Sequence, residues 1–129
     1  MRQVNVGLIG FGTVGSGVAR ILLEQADALA ERTGLRFRLK RVVDVDLERD
    51  RGVTLPEGVL SDRLDDLLAD GEIDTVVTLM GGTTVARETA LRLLTAGKSI
   101  VTANKALLAL PGAEILSAQG RYVIDAKYS

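Results

Sequence analysis

Residues Val4–Val18 read VNVGLIGFGTVGSGV, and this stretch decides the architecture. An apolar run containing Val6, Leu8 and Ile9 feeds directly into Gly10-Phe11-Gly12-Thr13-Val14-Gly15, and helix-periodic residues follow. Strand, then G-x-G-x-x-G, then helix is the order that a dinucleotide diphosphate site requires. Gly10 permits a tight turn, Gly12 lets the backbone approach phosphates without an intervening Cβ, and Gly15 lets the helix pack closely on the strand. The unpaired N–H groups and positive dipole end of that helix then face the anion.

Spacing extends the helix. Val14, Val18, Ile21, Leu22, Ala26 and Leu29 fall on one face of a 3.6-residue period, with Glu24, Gln25, Asp27, Glu31 and Arg32 opposite. Gly34 follows as a stop signal. The pattern predicts one long helix from Val14 to Arg32.

Composition sets further bounds. A chain of 129 residues is expected to be one domain, residues 1–129. Hydrophobic residues make up 47%, yet there are two Phe, two Tyr and no Trp, so the core is expected to be aliphatic, as in a buried parallel sheet. A formal net charge of −1 gives no support for nucleic-acid or membrane-surface binding. The chain has no cysteine and no histidine, which removes thiol nucleophiles, Ser-His-Asp chemistry and Cys or His metal sites. Acid–base work would fall to Lys, Asp, Glu or Tyr. With no signal-peptide pattern and no apolar run of membrane-spanning length, a cytoplasmic location is expected.

Further elements alternate. Leu35–Asp46 reads as a second strand whose first half alternates Leu35, Phe37 and Leu39 with Arg36, Arg38 and Lys40. The basic residues suggest a solvated face, or less readily a partner contact. Residues 50–58 read as loop, and Ser61 as the cap of a short helix through Ala69. Ile73–Met80 reads as a central strand ended by Gly81-Gly82. A helix capped by Thr83 or Thr84 runs to Gly97, then a strand Ser99–Thr102. A helical region from Ala103 is broken at Pro111-Gly112 and resumes through Ala118, before a last strand Tyr122–Ala126. This alternation predicts an α/β fold, a doubly wound parallel sheet of Rossmann type in three αβα layers. Ligands in such sheets bind beyond the carboxyl ends of the strands, so Gly10–Gly15, Asp44–Asp46, Gly81–Gly82 and Thr102–Lys105 are expected to converge.

Asp44, at the end of the second strand, can accept hydrogen bonds from adenosine ribose hydroxyls, which favours NAD over NADP. It lies 29 positions after Gly15, beyond the usual ~20, as a long first helix would require. Arg49 and Arg51 nearby could instead neutralise a 2′-phosphate, and Asp44 could equally be a solvated turn acid. Gly81 and Gly82 would let a nicotinamide ribose pass, or simply end a strand. In Thr102-Ala103-Asn104-Lys105, Lys105 could hold a substrate carbonyl or relay a proton. A surface lysine at a helix start fits the same spacing.

Three segments together, GLIGFGTVGSGVARIL (Gly7–Leu22), MGG (Met80–Gly82) and IVTANKALLA (Ile100–Ala109), resemble the NAD(P)-binding domain of homoserine dehydrogenases. The first is shared by many dehydrogenases, whereas TANKALLA is far more specific. The resemblance implies interconversion of L-homoserine and L-aspartate 4-semialdehyde with NAD or NADP, on the route to threonine, methionine and isoleucine. It places Phe11, Gly12, Thr13 and Val14 against the pyrophosphate, Gly81 and Gly82 beside the nicotinamide ribose, and Thr102 and Asn104 near the nicotinamide. Lys105 matches the family's lysine at the hydride-transfer site.

Family members carry a second domain with substrate-binding acids, another lysine and the subunit interface. The chain is therefore expected to be the cofactor half, binding NAD(P) weakly without turning over homoserine, and to belong to a homo-oligomer when whole. Two alternatives stand beside this: another amino-acid-pathway oxidoreductase with the same nucleotide domain, and a non-catalytic NAD(H)-sensing module.

Overall fold

Strand β1 (Arg2–Ile9) is the hub of the sheet. It pairs in parallel with β2 (Leu35–Val43) on one side and with β4 (Thr75–Thr78) on the other. Beyond β2 lies β3 (Leu60–Ser61), and beyond β4 lie β5 (Ser99–Thr102) and β6 (Val123–Asp125). The spatial order is β3-β2-β1-β4-β5-β6, with parallel pairing throughout. The structure is a computed structural model that describes residues 2–48, 52–79, 84–102 and 123–125.

Parallel neighbours require crossovers, and among the described residues helices make three of the connections between strands. Helices α1 (Thr13–Glu24) and α2 (Ala26–Thr33) link β1 to β2, α3 (Leu64–Leu68) links β3 to β4, and α4 (Thr84–Thr95) links β4 to β5. Successive strand residues point to opposite faces. Leu8, Val42 and Val77 thus join Phe11, Ala19 and Val59 on the α1 side, while Ile9, Val43 and Val76 join Leu67, Leu93 and Ile100 on the α3–α4 side. Three αβα layers result, with an almost wholly aliphatic interior. The chain winds outward in both directions from β1, so the crevice between β1 and β4 opens beyond their carboxyl ends.

The long helix expected from Val14 to Arg32 is two helices. Gln25, at φ −114° and ψ 24°, closes α1 and opens α2. The buried stripe of α1 runs through Gly15, Ser16 and Ala19, and Val14 and Ile21 are 65% and 45% exposed. Close approach explains this: the side of α1 with the smallest residues faces the sheet, with Gly15 directly on the Gly10 carbonyl. Gly34 ends α2 in the left-handed region at φ 74°, as its position in the sequence predicts.

β2 stops at Val43, short of the expected Asp46. The Asp46 N–H donates to Asp44 Oδ1 at 2.9 Å, a side-chain turn that ends the strand. Ser61 belongs to β3, a strand the sequence reading does not contain, and α3 is capped at Arg63. The Ser61 hydroxyl accepts the Arg63 N–H and donates to Asp66. The central strand is shorter than Ile73–Met80, and the last strand lies within Tyr122–Ala126. The helical region expected across residues 103–118 lies outside the described residues.

A register shift between Val6 and Gly7 leaves Lys40 as an extra residue in β2. Lys40 is therefore not on a solvated face as expected: Nζ lies 2.6 Å from Asp70 Oδ1, both side chains being largely buried. Arg36 and Arg38 are exposed, as expected. Nearby, the buried Lys98 donates to the carbonyls of Asp70 (2.7 Å) and Ile73 (3.0 Å), stitching the turn before β4 to the start of β5. Burial holds the Lys98 pKa below the usual lysine value, against the pull of Asp70 and Asp74. This cluster sits at the amino ends of β4 and β5, away from the crevice.

Candidate functional site

The backbone donors of the glycine turn divide into two that bond the end of β2 and four without a helical acceptor. Gly10 takes φ 98°, and its N–H donates to Val43 O at 2.9 Å. The Phe11 N–H donates to Asp44 Oδ2 at 2.7 Å. Both bonds tie the turn to the end of β2. The Phe11 ring is 2% exposed and packs in the α1-side core, so Phe11 supports the turn from below.

The next four amides belong to Gly12, Thr13, Val14 and Gly15. They precede the first intrahelical bond, from Ser16 N–H to Gly12 O at 2.8 Å, so none has a helical acceptor. No side chain caps α1, and no acidic residue occupies its first turn. Gly12, Thr13 and Val14 are exposed. The result is a cluster of donors at a positive dipole end with no acidic residue in its first turn.

The two inner glycines differ in what constrains them. A Cβ on Gly15 would collide with the Gly10 carbonyl oxygen. A Cβ on Gly12 would meet no atom of the described residues within 4 Å. Gly15 is thus demanded by the fold, whereas none of the described residues demands Gly12, and the missing side chain leaves its backbone open to close approach. The donor set fits the diphosphate of a dinucleotide.

Asp44 stands beside this turn at the carboxyl end of β2, half-buried. Its Oδ2 accepts from Phe11, its Oδ1 from Asp46, and its own N–H donates to Ser61 O at 3.0 Å. Immediately after it, Val45 is 93% exposed, an apolar side chain at the rim that the sequence reading did not single out. Its signal was a valine between two aspartates. Thr102 ends β5 in register with Thr78 and is buried. Gly81, Gly82, Asn104 and Lys105 lie outside the described residues. The structure thus gathers Gly10–Gly15 and Asp44 into one site and places Thr102 at the same end of the sheet.

A groove of about 450 Å³ runs along the amino-terminal half of β2, lined by Leu22, Leu23, Phe37, Arg38 and Pro56 among others. It exists because β3 pairs with Val42 and Val43 alone and leaves the rest of that edge open. It lies at the opposite end of β2 from Asp44 and takes no part in the turn. Among the described residues no three His, Cys, Asp or Glu side chains are grouped to hold a metal ion, and no helix is long and apolar enough to cross a membrane.

Comparison with known families decides between the dehydrogenases that share such a turn. Residues 10–121 match the family described as homoserine dehydrogenase, NAD binding domain. The chain belongs to the homoserine dehydrogenase NAD-binding domain family. It is 38% identical over 117 residues to the homoserine dehydrogenase of Bacillus subtilis, covering 91% of this chain and 27% of that protein. It is 41% identical over 124 residues to that of Mycobacterium leprae, covering 96% and 28%.

Among solved structures, the homoserine dehydrogenase of Thiobacillus denitrificans aligns at TM-score 0.78 and 38% identity over 96% of this chain and 29% of that one. That of S. aureus aligns at TM-score 0.84 over 99% and 34%, at 24% identity. The chain thus spans about a quarter to a third of the length of these homoserine dehydrogenases. The cofactor class is that of the family, a nicotinamide dinucleotide.

Proposed function

We propose that this domain holds and orients NAD or NADP for a homoserine dehydrogenase, which interconverts L-homoserine and L-aspartate 4-semialdehyde. The observation that carries this reading is the set of four amides, Gly12 to Gly15, presented at the uncapped end of α1 beside a turn pinned to β2. Those amides take the diphosphate. Gly10 and Phe11 hold the turn to β2, and Val45 offers apolar surface to the adenine ring at the rim. Asp44 lies where the adenosine ribose would pass. By the family resemblance Thr102 and Asn104 would lie near the nicotinamide, and Gly81 and Gly82 would leave room for its ribose.

The bound dinucleotide supplies the hydride acceptor at nicotinamide C4. Lys105 then holds the substrate oxygen and moves the hydroxyl proton, an assignment that rests on its place in the TANKALLA segment. Acids for the substrate's amino group, and the subunit interface of a homo-oligomer, belong to the parts of the enzyme that this chain does not span. Family membership also favours a cytoplasmic place in threonine, methionine and isoleucine biosynthesis.

Calorimetric titration of the chain with NAD and with NADP tests the cofactor role. Saturable binding of one or both is expected, and no heat with either at millimolar concentration would overturn it. For the catalytic role, Lys105→Ala in a full-length enzyme carrying this domain is expected to lower kcat by at least about a hundredfold, the usual scale for a proton-transfer group. An unchanged kcat would remove Lys105 from the mechanism.

A further inference from the structure

The Asp44 carboxylate lies between two rigid backbone donors: Oδ2 is 2.7 Å from the Phe11 N–H and Oδ1 is 2.9 Å from the Asp46 N–H. Its own amide is fixed to Ser61 O in β3, and one residue earlier the Val43 carbonyl holds Gly10. The turn is therefore clipped to the end of β2 at two successive residues, Gly10 and Phe11, immediately before the four amides that have no helical acceptor. Of the two clips, the Asp44 bond is the charge-assisted one, and such bonds are shorter and stronger than neutral ones. Beneath it the Phe11 ring is buried among Leu8, Ala19, Leu39 and Val42, so the turn is held from the core and from the strand end together.

We infer that Asp44 is a positioning residue for the diphosphate cradle: its carboxylate fixes the conformation of Gly10–Gly12 through the Phe11 N–H, and it governs dinucleotide affinity through that turn rather than by reading the ribose 2′-hydroxyl. This deepens the proposed function and rests on it. Without the clip the Phe11 amide loses its carboxylate acceptor, and the amides that follow are no longer preorganised for a ligand. Preorganisation lost at the turn weakens every ligand that carries the diphosphate, whatever its ribose.

The test compares NAD with its 2′-deoxyadenosine analogue on the wild-type chain, Asp44→Ala and Asp44→Asn. Melting curves show that each variant is folded, and hydrogen exchange is read at the Phe11 amide. Asp44→Ala is expected to weaken both ligands by the same factor, roughly tenfold for one charge-assisted hydrogen bond. Removing the carboxylate and removing the hydroxyl then act additively, as independent changes do. Exchange at Phe11 accelerates in the same variant. Asp44→Asn keeps one neutral acceptor oxygen in place of two charged ones, so it is expected to recover affinity and protection in part, and equally for both ligands.

A loss seen with NAD and absent with the deoxy analogue would overturn the inference, because Asp44 would then read the hydroxyl. Unchanged exchange at Phe11 in Asp44→Ala would overturn it as well. A wild-type chain that binds neither ligand is a different failure: it removes the dinucleotide role itself, and the inference with it.

Discussion

Two glycines in one turn have different surroundings, and on the proposed function one serves the fold and the other the ligand. Gly15→Ala forces a Cβ onto the Gly10 carbonyl, so it is expected to lower Tm and abolish dinucleotide binding together. Gly12→Ala meets no atom of the described residues, at a φ of −84° that alanine accepts. Its melting temperature is expected to stay level or rise slightly, since alanine restricts the unfolded chain by about 0.4–1 kcal/mol. Its affinity for NAD is expected to fall at least about tenfold, because the Cβ occupies the approach of the phosphates. Parallel melting and titration of the two variants check this, and loss of fold in Gly12→Ala would refute the distinction. The turn at Gly10 and the close packing at Gly15 were legible in the sequence because both are steric and local. The engagement of Asp44 with Phe11 was not, since it joins residues 33 positions apart and depends on how two strand ends meet.

Elements were legible where periodicity and packing agree, and less so where they diverge. α4 begins at Thr84, where Thr83 or Thr84 is expected as its cap, and β5 has the bounds that its apolar run and flanking turns predict. The first helix reads as continuous because its hydrophobic residues keep a helical period, yet the face that packs is chosen by Gly15 and Ala19. β3 escaped notice because two residues carry no alternation to detect. The bulge in β2 was hidden for a related reason: alternation places Lys40 with Arg36 and Arg38, while the register shift hands it to Asp70.

That ion pair gives the element level its own prediction. Burial alone would raise the Asp70 pKa, but the Lys40 hydrogen bond, the Glu72 N–H and the charges of Lys40 and Arg41 outweigh it and bring the value below the ordinary 3.8. The unfolded chain therefore takes up the proton at higher pH than the folded one. The pair's contribution is complete above the ordinary value and is lost as pH falls through the lower folded-state value. Asp70→Asn is expected to cost about 2 kcal/mol at neutral pH. It should also flatten the acid limb of the stability curve below about pH 4. Urea melts of both proteins from pH 3 to pH 7 measure this, and parallel curves would show that the pair carries no pH dependence.

At the scale of the molecule, the parallel sheet and its winding out from β1 follow from alternation alone, because parallel strands need crossovers and crossovers have one hand. The same topology brings the glycine turn, Asp44 and Thr102 to one end of the sheet although they are far apart in sequence. Substrate chemistry is legible only as family membership, and the chain spans about a quarter to a third of the length of these relatives. The 129-residue chain is therefore expected to bind a dinucleotide and to show no homoserine-dependent reduction of NAD or NADP, a simple absorbance assay.

Backbone amide resonances followed during titration with NAD put the anion cradle itself to the test. The Gly12, Thr13, Val14 and Gly15 signals should move together and saturate with a single affinity. Saturable binding that leaves those four signals in place, or no change in them at millimolar NAD, would contradict the cradle.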